Sequence, residues 1–311
     1  MKRTIFSFVM PAYKVEYLAK AIDSILNQDH IDFELIIVND ASPENLKEIV
    51  NIYNDRRILY FENEQNIGGK DLVKNWNHCL SLANGDYIIL ATDDDMFEPE
   101  YLSNAAKLIE KYPNTDIIRS GVKKIDKEDH ILDFEFPLKE YMTNKEFALY
   151  YAKGGTISCV SNYIIKKTAI EKIGGFISFP RAHYSDDATA LALTQNGIAC
   201  IPLNNFKFRV SNINLSNRND FKIVKEQLYA TELYMEWYLK HIKTIDNTSD
   251  VFFERACYGG FKSRYITMIE NLLSKIPFTK VYYVIHYIFS NRYLFKRERF
   301  ILLSTYFINR L

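Results

Sequence analysis

The chain has 311 residues, 48% of them hydrophobic, and Lys+Arg balances Asp+Glu at 39 each. That composition excludes a disordered chain and a globally nucleic-acid-binding one, and the length suits one large domain or two smaller ones with a substantial core. The balance hides an asymmetry: residues 262 to 311 hold nine Lys/Arg against two Asp/Glu, leaving 30 against 37 in residues 1 to 261, an acidic body with a basic tail.

Ile5 to Met10 is β-rich and is expected to stop at Pro11, and Val15, Leu18, Ala19, Ile22, Ile25 and Leu26 then share one helical face. Phe33 to Val38 reads as a buried strand leading into Asn39-Asp40-Ala41-Ser42-Pro43, where Ser42 would cap a helix with Pro43 at its first position. A short strand at Ile58 to Phe61 precedes Asn66-Ile67-Gly68-Gly69 and a helix through Leu72, Trp76, Leu80 and Ala83. Trp76, on the apolar stripe of that helix, reads as core.

Tyr87 to Ala91 is an apolar run behind the turn signal Asn84-Gly85-Asp86, and it ends in Thr92 and three consecutive carboxylates, Asp93-Asp94-Asp95. Such a run reads as a buried parallel strand whose polar end lies where open α/β sheets bind ligands. Adjacent carboxylates repel one another, so a hard divalent cation with oxygen ligands would suit them; an acidic helix start, with Glu98-Pro99-Glu100 following, is the plainer alternative.

A helix is expected from Glu98 to Tyr112, a strand at Asp116 to Ser120, and an antiparallel hairpin from Val122 to Phe136 turning at Lys127-Glu128-Asp129. Asn162 to Ile165 reads as a strand, Thr168 to Ile173 as a helix, and Tyr184-Ser185-Asp186-Asp187 as the approach to a helix from Ala188 to Gln195. Strands at Ala199 to Ile201 and Phe206 to Val210 follow. From Phe221 the chain turns helical, with a loop expected at His241 to Asp250 and a basic, aromatic helical tail beyond it.

Alternating strands and helices over the first hundred residues imply a Rossmann-like parallel sheet with helices on both faces, a nucleotide-binding layout, followed by mixed elements for a second ligand. The four cysteines are far apart and the N-terminus lacks a signal peptide's apolar core, so a cytoplasmic location is expected; Val281 to Ser290 is too short to span a bilayer.

The ordered set of motifs resembles an inverting family 2 glycosyltransferase of the GT-A fold. It comprises Ser7 to Tyr13, Glu34 to Ser42, Asn66-Ile67-Gly68, Ala83 to Ile88, Thr92 to Asp95 with Glu98-Pro99, Ile173 to Phe176, and Ser185-Asp186-Asp187. The resemblance covers residues 5 to 215 and implies a catalytic domain over 1–215, with the donor bound by about 1–115 and the acceptor and base on 116–215. A helical region would then occupy 216–311.

By that resemblance Asp40 contacts the nucleotide base, with Asn39 where a carboxylate is usual. Pro11, Ala12, Tyr13, Asn66 and Gly68 line the donor, Asp93 touches the ribose or metal, Asp94 is the foremost metal ligand and Asp95 supports it. Thr92 stands at the first position of the family's metal motif and Ser211 where a His is common, so Mn²⁺ or Mg²⁺ would take most ligands from diphosphate and water. Asp187 is the implied base, with Asp186 second; Arg209 either pairs with phosphate or is a surface arginine at a strand end.

The implied activity is metal-dependent, inverting transfer of a sugar, most readily from a UDP-sugar, to a glycan or lipid-linked acceptor in surface polysaccharide assembly such as capsule or lipopolysaccharide. A non-catalytic nucleotide-sugar-binding protein and a nucleotidyltransferase are the alternatives. No nucleic acid is expected as a partner. Residues 276–311, where Tyr and Phe interleave with Lys and Arg, suit the anionic inner face of the cytoplasmic membrane, with dimerisation as the competing use.

Overall fold

A computed structural model describes residues 5–156, 158–211, 220–245 and 251–308. The chain divides into two compact units. One comprises Met1–Phe147, Thr156–Ser178 and Ser185–Ser211, and the other Ala148–Gly155, Phe179–Tyr184 and Asn212–Leu311.

The first unit is built on one sheet. Its strands are β1 (Phe6–Ala12), β2 (Phe33–Asn39), β3 (Ile58–Glu62), β4 (Tyr87–Leu90), β5 (Met96–Phe97), β6 (Ile117–Ile125), β7 (Ile131–Phe134), β8 (Tyr141–Met142), β9 (Tyr163–Lys166) and β10 (Ile198–Arg209). The order along the sheet is β3-β2-β1-β4-β9-β6-β10-β5, with β7 beside β6 and β8 beside β10. β1 to β4 are mutually parallel, with Phe8 level with both Leu35 and Ile89. β9 lies antiparallel between β4 and β6, which turns β6 and β10 the same way as β4. The carboxyl ends of β1, β2, β4, β6 and β10 therefore share one edge.

Alternation along the strands dresses both faces. Phe6, Phe8, Met10, Leu35, Ile37 and Ile89 pack with Leu18, Ile22 and Ile25 of α1 (Leu18–Leu26), Leu46 and Val50 of α2 (Leu46–Val50), and Leu102 and Ala105 of α4 (Tyr101–Lys111). On the opposite face α3 (Leu72–Ser81) packs against β1 and β4 through its buried Val73, Trp76 and Leu80, as expected for Trp76. Among the described residues the remaining helices of this part of the chain are α5 (Asn144–Ala152), α6 (Lys167–Lys172) and α7 (Ser185–Ala192).

Several boundaries differ from expectation for identifiable reasons. β1 continues through Pro11 to Ala12, with Pro11 paired in register to Val38. The helix after β2 is capped by Asn45, whose side chain accepts from Glu48 N, whereas Ser42 Oγ accepts from Glu44 N in the turn before it. β6 is a single strand through Gly121, because a Cβ there would lie 2.1 Å from Asn204 Oδ1; the glycine marks a close approach and not a break. β10 is likewise one strand, with a register shift against β6 between Ile201 and Phe206.

The edge opposite the carboxyl ends is closed by motif residues. Ser7 Oγ donates to Glu34 (2.6 Å) and accepts from Gly85 N (2.8 Å), while Asn84 N and Nδ2 both donate to the Glu34 carboxylate. A Cβ on Gly85 would meet Ser7 Oγ at 2.6 Å and the Ile5 carbonyl oxygen at 2.8 Å. Gly85→Ala is expected to lower unfolding free energy by about 1–3 kcal/mol in a denaturant titration, with nucleotide affinity unchanged. Loss of nucleotide binding at unchanged stability would contradict this purely structural role.

In the second unit α8 (Phe221–Ile245) carries on through His241, where a loop was expected, and residues 246–250 lie outside the described residues. α8 packs on α9 (Val251–Ser274) around Tyr151, Tyr234, Tyr238 and Phe261, all buried, with the Tyr151 and Tyr234 hydroxyls 2.6 Å apart. α10 (Val281–Ser290) and α11 (Lys296–Ile308) complete the helical tail, and buried Asn291 between them donates to the Tyr265 and Tyr287 hydroxyls. Among the described residues no helix is long and apolar enough to cross a membrane.

Candidate active site

The shared carboxyl edge collects the acidic residues. Asp93 turns toward the exit of β1: its Oδ2 accepts from Tyr13 N (2.7 Å) and Lys14 N (2.8 Å), and its Oδ1 takes no hydrogen bond among the described residues. Asp95 turns the other way, with Oδ2 accepting from Thr92 Oγ1 and Oδ1 from Arg209 N at 2.8 Å. Asp94, between them, faces the Lys14 ammonium at 3.8 Å. Burial, then the charge of Asp94, pushes the Asp93 carboxyl up to about 6, and the same two causes raise Asp95 well above the ordinary carboxylate range.

The exit of β2 is tied to the same place. Ser42 Oγ donates to the Tyr13 carbonyl, and Asn39 accepts from Ser42 N while donating to the Tyr60 hydroxyl. Asp40 is buried and holds the following loop. Its Oδ1 accepts from Asn63 Nδ2 and Ile67 N, both at 2.8 Å, and its Oδ2 from Gly68 N at 2.7 Å. Asn66 Oδ1 accepts from Gly69 N and fixes the loop from within. Hydrogen bonds thus run from Asp93 through Tyr13 to the β2 exit and from Ala12 through Asp40 to Gly68.

Arg209 is not available to a ligand, contrary to both uses expected of it. Its side chain is fully buried: Nε donates to the Asp94 carbonyl, Nη1 to the Asp126 carbonyl and the Asp129 carboxylate, Nη2 to Met96 Sδ, and the guanidinium lies over the Tyr17 ring. It fastens the acidic run to the turn between β6 and β7 and so acts on the site through Asp94 and Asp95.

Asp186 and Asp187 open α7, in its first turn. Asp187 is buried, and burial followed by the charge of Asp187 pushes the Asp186 carboxyl up to about 7. The Cys159 thiol lies in the field of this pair and of Asp95. Burial raises it first, then Asp95, Asp186 and Asp187. His183, just before the pair, is held neutral at physiological pH, its imidazole pushed down to about 4 by burial and by Lys275.

The donor set fits a hard divalent cation only in part. Asp93 and Asp95 turn to opposite sides, so Asp94 and the open Oδ1 of Asp93 are the readiest oxygens for a metal, and further ligands would come from a bound molecule and water. Asp95, expected as a second metal ligand, has both oxygens engaged by Thr92 and Arg209. A tighter grouping, Asp126, Glu128 and His130, lies in the β6–β7 turn, where Asp126 Oδ1 already accepts from Glu128 N and His130 N. Residues 212–219, beyond Ser211, lie outside the described residues. Lys14 is the site residue that sequence reasoning missed; its place next to Tyr13 at a strand exit was the available signal.

Comparison with known proteins accords with this architecture. Residues 7–174 match the family model for "Glycosyl transferase family 2". An uncharacterized glycosyltransferase of Methanocaldococcus jannaschii, MJ1057, is 35% identical over 159 residues, 49% of this chain and 53% of that protein. The putative colanic acid biosynthesis glycosyl transferase WcaA of Escherichia coli is 39% identical over 102 residues, 32% of this chain and 36% of that one. The chain thus spans about half the length, or less, of these curated relatives.

Among solved structures, Staphylococcus aureus TarS 1-349 in complex with UDP-GlcNAc superposes with a TM-score of 0.65 at 16% identity, covering 98% of this chain and 89% of that one. The mannosyltransferase PcManGT of Pyrobaculum calidifontis, in complex with GDP-Man and Mn²⁺, gives 0.55 at 14% identity, covering 99% and 86%. These show the GT-A type of fold with helices C-terminal to it. Because the family match takes in more than half of the 311 residues, the chain belongs to glycosyl transferase family 2.

Proposed function

We propose that the protein transfers a sugar, with inversion, from a UDP-sugar to a hydroxyl of a glycan or lipid-linked acceptor during surface polysaccharide assembly at the cytoplasmic face of the membrane. The observation that carries this reading is the acidic run Asp93-Asp94-Asp95 at the carboxyl end of β4, hydrogen-bonded to the exit of β1 and the end of β10, with a second acidic pair, Asp186-Asp187, opening α7. A donor and an acceptor each need one of them. TarS, bound to UDP-GlcNAc, favours a uridine donor, and WcaA, named for colanic acid biosynthesis, favours a polysaccharide product. PcManGT, bound to GDP-Man, makes GDP the donor to test second.

In this reading the base and ribose lie along Pro11, Ala12, Tyr13 and the Asn66 to Gly68 loop. Asp40, with both oxygens already accepting from that loop, sets its shape as much as it touches the base. Asp94 and Asp93 would hold Mn²⁺ or Mg²⁺. When bound, such a cation would neutralise the charge that develops on the leaving diphosphate. Lys14 adds positive charge on the same side. Asp187 takes the proton of the acceptor hydroxyl as its oxygen bonds to the anomeric carbon, and the bond from that carbon to the diphosphate breaks on the opposite face.

Calorimetric titration of UDP tests the donor half. We expect binding in Mn²⁺ that is lost in EDTA and is weakened about 10- to 100-fold by Asp94→Ala. Equal affinity in Mn²⁺ and EDTA would remove the metal from the proposal, and binding of GDP in place of UDP would change the donor.

A further inference from the structure

An amphipathic helix on a protein surface normally turns charged and polar residues outward. α11 also turns large apolar residues outward among them. Arg297, Phe300, Ile301, Ser304 and Ile308 recur at helical spacing along one stripe, and Phe300, Ile301 and Ile308 are 65%, 48% and 65% exposed. Leu302 and Tyr306, on the other side, are buried. The apolar surface extends beyond the helix, because the ring of Phe278, itself exposed, packs edge-on against Phe307 with centroids 6.1 Å apart.

Within residues 276–308 the charge is nearly all of one sign. Glu298 is the only acidic residue from 276 to 308, and it is turned to Lys262 of α9 at 2.9 Å. Lys296 and Arg297, beside the apolar stripe, pair with no carboxylate among the described residues. Glu298 also accepts from Phe295 N at the start of α11, so its carboxylate is engaged within the fold. A sheet of anionic headgroups over an acyl layer matches the face that is left, cationic and apolar together. It takes Phe and Ile side chains into its boundary and Lys and Arg at its surface, where each cation contributes about 1 kcal/mol.

We propose that α11, with Phe278, docks this glycosyltransferase on an anionic membrane surface, lying in the interface without spanning it. The surface belongs to the helical unit alone and needs neither donor nor acceptor, so its test is independent of the proposed reaction.

The test is co-sedimentation of the full chain with vesicles of phosphatidylcholine alone or with about one third phosphatidylglycerol. We expect pelleting with the anionic vesicles, little with the zwitterionic ones, and release as salt rises. The double substitution Phe300→Ser with Ile301→Ser should weaken binding roughly tenfold or more, and Lys296→Glu with Arg297→Glu should abolish the preference for anionic lipid. The circular dichroism spectrum and melting temperature should stay near the parent values in both variants. Vesicle binding unaffected by either variant would overturn the proposal. So would a chain that ignores vesicles and is a dimer in solution, converted to monomer by the Phe300/Ile301 pair.

Discussion

Asp187→Asn is expected to lower kcat by about 10²- to 10⁴-fold while leaving donor affinity unchanged, measured as sugar transfer and as UDP titration on one preparation. The amide is isosteric and buried as the carboxylate was, so the change removes a proton acceptor and little else. Asp186→Asn separates the two members of the pair. If Asp187 is the base, that variant retains more than about a tenth of the activity; if Asp186 is, the two results exchange places. A loss of donor affinity as large as the loss of kcat would place Asp187 in nucleotide binding and end its assignment as base.

The pair also sets a pH dependence of stability whose sign follows from the Asp186 shift. Its carboxyl is raised in the folded protein to about 7 from an ordinary 3.8, by burial and by Asp187. Between those values the folded state binds more protons than the unfolded state, so stability falls as pH rises through that window. Asp186→Asn removes the penalty. Because Asp186 keeps some contact with water, we expect on the order of 2 kcal/mol of added stability at pH 8, shrinking toward zero near pH 4, by denaturant titration at each pH. A variant destabilised equally at both pH values would show that the pair is held by contacts and not strained by its charge.

The β4 side of the carboxyl edge was legible in the sequence because its signals are local. The apolar run of β4 between Asn84-Gly85 and Asp93 fixes both a buried strand and the side of the sheet on which its carboxylates fall. Sheet order is a different kind of information. Nothing within Tyr163 to Lys166 says that it inserts antiparallel between β4 and β6, yet that insertion brings Cys159 to the acidic edge. Polar Asn204 and Asn205 made β10 look like two strands; in the fold Asn104 and Ser120 satisfy Asn205, and Asn204 Nδ2 donates to the Glu135 carbonyl. Residues whose partners lie far along the chain are read from sequence with their types right and their uses wrong. Arg209 is the clearest case: a cation at the end of a strand on the carboxyl edge of an α/β sheet suggests phosphate, and only the converging Asp126, Asp129, Tyr17 and Met96 show that its hydrogen-bonding capacity is used internally.

Arg209→Met is therefore expected to act on the fold first and on the donor second. The substitution keeps an apolar stem of similar length but leaves the Asp94 and Asp126 carbonyls and the Asp129 carboxylate without the guanidinium, and removes a cation from beneath Asp95. Taking one partner from a buried ionic cluster costs about 3–5 kcal/mol, which corresponds to a fall in Tm of roughly 10 °C for a unit of this size. Donor affinity should fall as well, because the Asp94 backbone is then held by one anchor fewer. Arg209→Lys tests whether charge alone suffices. A lysine supplies the charge but neither the fork that reaches several acceptors nor the planar face that lies over Tyr17, so it should recover less than half of the lost stability. The opposite pattern, Tm unchanged with UDP binding reduced tenfold or more in the methionine variant and restored by lysine, would mean that Arg209 leaves its cluster to bind phosphate, and the assignment of a positioning role would fall.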